Sequence, residues 1–528
     1  MIRVAAEPGL VFDAMRPAAE PSPLRTDVAG FIGRTRRGPL GVAVRVTGWR
    51  EFRQIFGGAL ADADTPLALQ GYFDNGGDVA WIVRLPTPQT AKMAEVEWDL
   101  ACAAPGELPW QGWNPADARF TAPRYRVKAS SLGAWGSGVR VGARYRSWGA
   151  GGLAEVDLSV RAADEPEELL VGLDPKQIES QVAARSALVR LVPLDSFPAP
   201  QVVLDRQPSP GGPQLLRWQP LVLAGGGEDA PVAADYFAAI ALLGDHGEVA
   251  LTAMPDLQRD VGGEAEAVQI EAMAQAEALH DRLVVLDLPV TADAVAALAW
   301  SRRMRDPPGS RTARAGVAYH PPISVADPFG GVARPLRTIP PCGHVAGLIS
   351  RLDRERGAQH TPANATLSDV VDVAAGFAPA ERAALNEAGI NVLRCKPGQG
   401  IQVWGGRTLL DLPEGRYVAH RRLIHRLVRA VRRVAEPLVF ETNGPTLWLA
   451  LARAATSVLL EAWRAGGLQG ERADEAFRVS CDEANNPPEQ QALGITVCEI
   501  QLAPAVPMEF ITLRVSLSAQ GSLDVFEQ

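Results

Sequence analysis

Apolar residues along this chain fall in short bursts, and the spacing inside each burst predicts an element. Val28-Ala29-Gly30-Phe31-Ile32-Gly33 is a continuous apolar run that ends before Gly38-Pro39, as expected of a buried strand followed by a turn. Val42–Val46 predicts a second strand. Thr47 is placed to cap a short helix through Trp49, Phe52, Ile55 and Phe56, which Gly57-Gly58 stops. Thr65–Phe73 predicts another helix, Asn75-Gly76-Gly77 a turn, and Val79–Arg84 a strand. Residues 24–88 therefore read as compact α/β structure with short connections. From 89 to 215 alternating runs and turn residues predict an inserted, mostly β domain, with strands at Tyr125–Lys128, Val139–Val141 and Val156–Val160. From 216 to 390 strands and helices alternate again. Leu221–Ala224, Val249–Ala253 and Leu283–Leu286 are the strands, with alanine-rich helices at Ala233–Leu243 and Glu264–His280.

Residues 391–518 predict a C-terminal domain. It holds two amphipathic helices at about 416–434 and 446–465, then strands at Leu493–Leu502 and Phe510–Ser518, leaving a tail at 519–528. In the last strand Ile511, Leu513, Val515 and Leu517 share one face, and Thr512, Arg514, Ser516 and Ser518 share the other. Residues 1–23 differ from all of this. Ile2, Val4, Leu10, Val11 and Phe12 are apolar, but Pro17, Pro21 and Pro23 bar a helix interior or central strand. Such a segment is an extended arm that needs a sheet edge, its own or a neighbour's.

The chain has 528 residues, long enough for several domains, and 47% hydrophobic residues, ordinary for a globular protein. Its net charge, 52 − 61 = −9, argues against generic nucleic-acid binding. Five cysteines contain no C-x-x-C, so no zinc knuckle or dithiol motif is readable. The first residues carry Glu7 and Pro8 where an export signal needs an apolar run, and no stretch reaches membrane-spanning length.

Signals of catalysis are weak. Gly225-Gly226-Gly227 follows a strand but lacks the Lys-Ser/Thr of a phosphate loop. No G-x-S-x-G occurs, no acid pair stands out, and the seven histidines form no metal-binding spacing. His344, among apolar neighbours, reads as a hydrogen-bonded structural residue. No cofactor, metal or small-molecule substrate is expected. The strongest electrostatic feature is 416–434, with Arg416, Arg421, Arg422, Arg426, Arg429, Arg432 and Arg433 and no acid. Leu423, Leu427, Val431 and Val434 give it an apolar stripe. Pairing to acids of the same chain, an acidic protein partner, and nucleic acid are three open readings of this positive face.

A series of short motifs in one order resembles the sheath subunits of phage tails and of phage-tail-like injection systems. They include G-F-I-G at 30–33, R-R-G-P at 36–39, V-T-G-W-R-E-F at 46–52, Y-F-D-N-G-G at 72–77 and L-G-A-W-G-S-G at 132–138. V-A-L-T-A-M-P-D at 249–256, P-P-C-G-H-V-A-G at 340–347, V-W-G-G-R-T-L at 403–409 and N-N-P-P-E at 485–489 follow. The resemblance implies a multidomain α/β protein: a shared sheath domain built from N- and C-terminal portions, a subtilisin-like middle region without a legible nucleophile, and the β insertion. It implies a non-enzymatic subunit of a contractile sleeve of stacked hexameric rings, assembled in the bacterial cytoplasm around an inner tube. Its partners would be itself, the tube, and baseplate and cap proteins, with no membrane insertion and no nucleic acid. Inter-subunit strand addition would fall to Ile2, Val4, Leu10, Val11, Phe12, Ile495, Val497, Ile511, Leu513, Val515 and Leu517. One of the two C-terminal helices would face the tube: the arginine helix, through Arg421, Arg422, Arg426, Arg429 and Arg433, or the competing segment Phe440–Gly466 with Trp448 and Trp463, whose larger apolar content suits the core. The alternative is a hydrolase that uses the middle region.

Overall fold

The computed structural model describes residues 24–99, 124–147, 155–163, 165–174, 177–194, 214–215, 219–305, 310–438, 441–505, 511–517 and 523–527. A nine-stranded sheet forms the centre. Its order is Ala365–Thr366, Gly400–Trp404, Ile390–Lys396, Gly316–His320, Leu283–Asp287, Leu251–Ala253, Ala29–Arg34, Ala80–Leu85, Ala43–Val46. The six strands from Ile390–Lys396 to Ala80–Leu85 are parallel, and antiparallel strands close both edges. Parallel strands need helical crossovers, so both faces are covered and runs such as Leu283–Asp287 are buried throughout. One face packs Leu67 and Tyr72 of helix Thr65–Asp74 with Val345 and Ile349 of helix Cys342–Arg356. The other packs Tyr236, Ile240, Met273 and Trp300 from three further helices.

Multidomain α/β organisation holds, and the sheet adds a junction between regions that read as separate. Ala29 lies beside Leu251 and Phe31 beside Ala253, so the N-terminal block and the middle region share one sheet. That sheet continues past residue 390 to Trp404. The strand Gln219–Val222, read with the middle region, instead pairs with Arg140–Ser147 of the insertion. The insertion contains one sheet of Glu95–Asp99, Arg124–Ala129 and Val189–Pro193 and a second around Arg140–Ser147 and Glu155–Arg161. Trp98, Val127, Val141 and Leu158 fill its core. Helix Trp49–Phe56 has Gly48, not Thr47, at its N-cap position. Thr47 sits one residue outside and donates to Glu51 from its N–H and its hydroxyl (2.7 and 2.6 Å).

The C-terminal unit stacks helices Val418–Ala435 and Pro445–Arg464 on a four-stranded antiparallel sheet. Leu451, Ala455 and Leu459 repeat every fourth residue and meet Leu423, Leu427, Val431, Ile500 and Leu502.

The motif around residues 340–347 is explained by packing. A Cβ at Gly343 would lie 2.0 Å from the Ala68 carbonyl oxygen, and one at Gly347 would lie 2.2 Å from that of Tyr72. Two helices touch backbone to backbone there. By propensity, Gly347→Ala should stabilise a helix by about 1 kcal/mol. Overpacking against a fixed carbonyl reverses the sign. Urea unfolding is expected to show Gly347→Ala less stable than wild type; equal or greater stability would refute the close approach.

Candidate functional site

Helix Val418–Ala435 crosses the foot of the sheet, where the parallel strands begin. Its arginines divide between two environments. Arg429 is 3% exposed and donates from all three guanidinium nitrogens. It reaches the carbonyl oxygens of Glu248 (3.2 Å), Asp281 (2.8 and 3.2 Å), Val249 (2.5 Å) and Arg25. These carbonyls precede three adjacent strands, where the loops turn in and expose backbone acceptors. Burial pulls the guanidinium down to about 10, opposed by Asp281. Arg422 donates to the Thr26 carbonyl (2.5 Å) and pairs with Asp353 on helix Cys342–Arg356. Arg421 lies 3.9 Å from Glu277 and 3.2 Å from the His425 ring, which burial and the arginines keep neutral. Arg432 donates to the Leu279 carbonyl (2.8 Å), at the C-terminal end of a helix whose dipole favours a cation.

Of the five arginines expected at a tube-facing surface, Arg421, Arg422 and Arg429 are therefore corrected to internal anchors. Arg426 and Arg433 are exposed. They border a cavity of about 400 Å³ between the two helices, also lined by Leu24, Leu427, Val458 and Glu461.

The opposite, carboxyl end of the strands is where an α/β enzyme would place its site. The Ala29–Arg34 strand has Leu251–Ala253 on one side and Ala80–Leu85 on the other, which makes a topological switch point. Charged residues converge there, but each is paired. Asp256 accepts from the N–H groups of Arg34 (2.9 Å), Asp64 (2.5 Å) and Thr65 (3.3 Å), and from the Thr65 hydroxyl (2.6 Å). It holds the start of helix Thr65–Asp74 against the sheet. Asp64 lies between Arg259 (2.8 Å) and Arg337 (2.7 Å). Asp260 meets Arg34 (3.1 Å) and the Tyr236 hydroxyl (2.8 Å). Burial and the neighbouring Asp256 carboxylate raise Asp64 and Asp260 to about 6.

Asp287 closes the next strand, buried, and accepts from the Cys342 N–H at 3.2 Å. Burial pushes its carboxyl up to about 7 and raises the adjacent Cys342 thiol far above its ordinary value. A thiol held protonated beside an acid is the reverse of an activated nucleophile. His344, read as hydrogen-bonded, has no partner for Nδ1 among the described residues and packs against Gly71. Burial lowers it to about 4. Among the described residues no group of three or more potential metal ligands occurs, and no helix is long and apolar enough to cross a membrane.

The C-terminal sheet runs Phe477–Ser480, Thr496–Leu502, Ile511–Leu517, Leu523–Glu527. Ile511, Leu513, Val515 and Leu517 lie on a strand paired on both sides within this chain. Val497 is also occupied. Asn486 donates to its carbonyl (3.0 Å) and accepts from its N–H (2.6 Å), standing in for a neighbouring strand. Ile495 donates its N–H to the Gln490 carbonyl (3.0 Å). Strand addition at 495–497 is thus blocked by the chain's own side chain and turn. Ile2, Val4, Leu10, Val11 and Phe12 lie outside the described residues.

Residues 255–409 match the family model of the phage tail sheath protein central domain. The tail sheath protein of Vibrio phage KVP40 is 29% identical over 182 residues, 34% of this chain and 26% of that protein. The chain thus spans about a quarter of the length of this curated relative. A sheath tail protein from Listeria innocua superposes with a TM-score of 0.61 at 11% identity, covering 94% of this chain and 96% of that one. The contracted helical sheath of the anti-feeding prophage superposes with a TM-score of 0.53 at 19% identity, covering 97% and 98%.

The chain has the tail-sheath fold. In this sheath fold the motif V-A-L-T-A-M-P-D ends in Asp256, the acid that caps helix Thr65–Asp74. That role was missed from sequence because its partners lie some 190 to 220 positions away. The plug made by Asn486, inside N-N-P-P-E, was missed for the same reason at shorter range.

Replacing Arg429 by Met is expected to cost at least about 3 kcal/mol, since several buried carbonyls lose their donor. Arg426→Ala and Arg433→Ala should stay within about 0.5 kcal/mol. Chemical denaturation separates the two classes, and similar small effects at all three positions would sink the assignment. For Asp287, a folded value near 7 against about 4 unfolded means the unfolded chain ionises first as pH rises. Stability from this residue is full below pH 4 and falls up to about pH 7. Asp287→Asn should therefore stabilise the protein above pH 7, by up to about 4 kcal/mol, and gain little near pH 4. A gain that does not depend on pH would refute a neutral buried Asp287.

Proposed function

We propose that this chain is the structural subunit of a contractile sheath, which polymerises as stacked hexameric rings around an inner tube. Contraction then drives the tube through a target envelope. The observation that carries this reading is the similarity to sheath chains over nearly the whole length of both partners, 97% and 98% for the anti-feeding prophage sheath. It extends well beyond residues 255–409, so the insertion and the C-terminal unit belong to the likeness.

In this reading the apolar arm at 1–23 adds a strand to a sister copy. The receiving edges are the outer strands Phe477–Ser480 and Leu523–Glu527, since the two inner strands are paired on both sides. Backbone hydrogen bonds at such joints depend little on side chains and survive rotation of the bodies they connect. The extended lattice is metastable, and contraction buries more surface between copies, so firing needs no nucleotide. Assembly takes place in the cytoplasm of the producing bacterium, with baseplate and cap proteins at the two ends. Arg426 and Arg433 are the exposed arginines left to meet an acidic tube exterior, through contacts that break on contraction.

Purified full-length protein should form long cylinders or stacked rings in negative-stain images. Deletion of residues 1–20 should abolish them and leave a folded subunit by circular dichroism. Normal cylinders from the deletion would overturn the arm's role. A monomer from the intact chain under all assembly conditions would overturn the sheath reading itself.

A further inference from the structure

Two cysteines face each other in the C-terminal sheet. The strand Phe477–Ser480 pairs antiparallel with Thr496–Leu502, and its last pair is Ser480 with Glu499. One step further, Cys481 stands opposite Cys498. Hydrogen bonds fix the type of pair. Ala503 donates to the Ala476 carbonyl (2.9 Å), and Val497 turns both its N–H and its carbonyl to the same side, toward Asn486. Odd-numbered residues from 497 to 503 therefore carry the bonds on this edge, and Cys498 occupies a non-hydrogen-bonded position. At such positions the Cα atoms of facing residues are about 4.5 Å apart and their side chains are closest. That separation lies at the short end of the span that a disulfide bridges.

Both side chains point to the same face. Cys498 is buried with Phe477, Ile500 and Leu502, and Cys481 packs against that cluster from a partly exposed position. The two thiols are hydrogen-bonded to each other, and their acidities separate. Cys481 is lowered by the bond from Cys498 and by Asn486, against burial and Asp482, while Cys498, which donates its S–H to Cys481 and is buried, is raised. One sulfur is thus accessible and more easily ionised, and the other is buried in position to resolve it.

We propose that Cys481 and Cys498 form a redox staple, an intramolecular disulfide made by exchange with a small-molecule disulfide when the protein meets an oxidising exterior. The Cys481 thiolate attacks one sulfur of the small disulfide, giving a mixed disulfide and releasing one small thiolate. Cys498 loses its proton to solvent and attacks the Cys481 sulfur, expelling the second small thiolate. Two protein thiols are oxidised and one small disulfide is reduced to two thiols. The bond closes the sixteen-residue loop 482–497, which contains Asn486, and so joins the first two strands of the C-terminal sheet covalently. Nothing in this chemistry depends on polymerisation.

The test incubates the purified full-length chain with oxidised glutathione, alkylates the remaining thiols, and maps peptides without reduction after cleavage at Glu483 and Glu489, which separates the two cysteines. The expected product is a linked peptide pair containing Cys481 and Cys498, two hydrogens lighter than the sum of the thiol peptides. Buried Cys342 should stay unmodified by glutathione, and exposed Cys395 should carry at most a glutathione adduct. In Cys498→Ser the glutathione adduct should accumulate on Cys481, at least tenfold over wild type, because no resolving thiol remains. A stable glutathione adduct on wild-type Cys481, or two free thiols after Cys395 has reacted, would overturn the proposal.

Discussion

The buried guanidinium of Arg429 sets how this molecule is put together. Its nitrogens reach carbonyls of Arg25, Glu248, Val249 and Asp281, which belong to the approaches to three neighbouring strands. Removing a cation from water is costly unless its donors are used, and here they are met by backbone oxygens that would otherwise be buried without partners. A lysine has three donors on a point charge and could not span this set. The bond network therefore serves both sides of the joint. It fixes where helix Val418–Ala435 lies, and with it the sheet that this helix covers.

The two ends of the parallel strands solve the same problem in opposite ways. At the foot, backbone acceptors meet arginines from the C-terminal unit. At the carboxyl ends, backbone donors at the start of helix Thr65–Asp74 meet the Asp256 carboxylate. That second end has the topology of a ligand crevice, yet its acids accept from backbone, arginine and tyrosine groups or are held neutral by burial. A fold carries no activity by itself; the side chains at the site do. Here they join the N-terminal block and the middle region into one body, with Asp64 held by Arg259 and Arg337 across the joint.

Local order was legible in the sequence wherever a side chain's role depends on its own neighbours. The run Val28–Gly33, the helix spacing through Phe52 and Phe56, the alternation at 511–517 and the stripe Leu423, Leu427, Val431 all became the elements that their periods predict. The ordered motifs pointed to the sheath fold. Residues whose meaning depends on a distant partner were not legible. Leu221 and Val222 have a strand's composition, but only the register shows that they belong to the inserted sheet. The arginine helix reads from its charge as one concentrated positive face. Arg422 and Arg429 became internal because acceptors from residues 25 to 26, 248 to 249 and 281 meet at one place. Gly343 and Gly347 look like helix-weakening residues until Ala68 and Tyr72 occupy the space their side chains would need. Periodicity is written by steric and solvation preferences over a few residues, so the sequence alone determined the elements and which faces are apolar. Which polar group finds which partner depends on chain segments brought together from hundreds of positions apart, and that was decided only when the sheet closed.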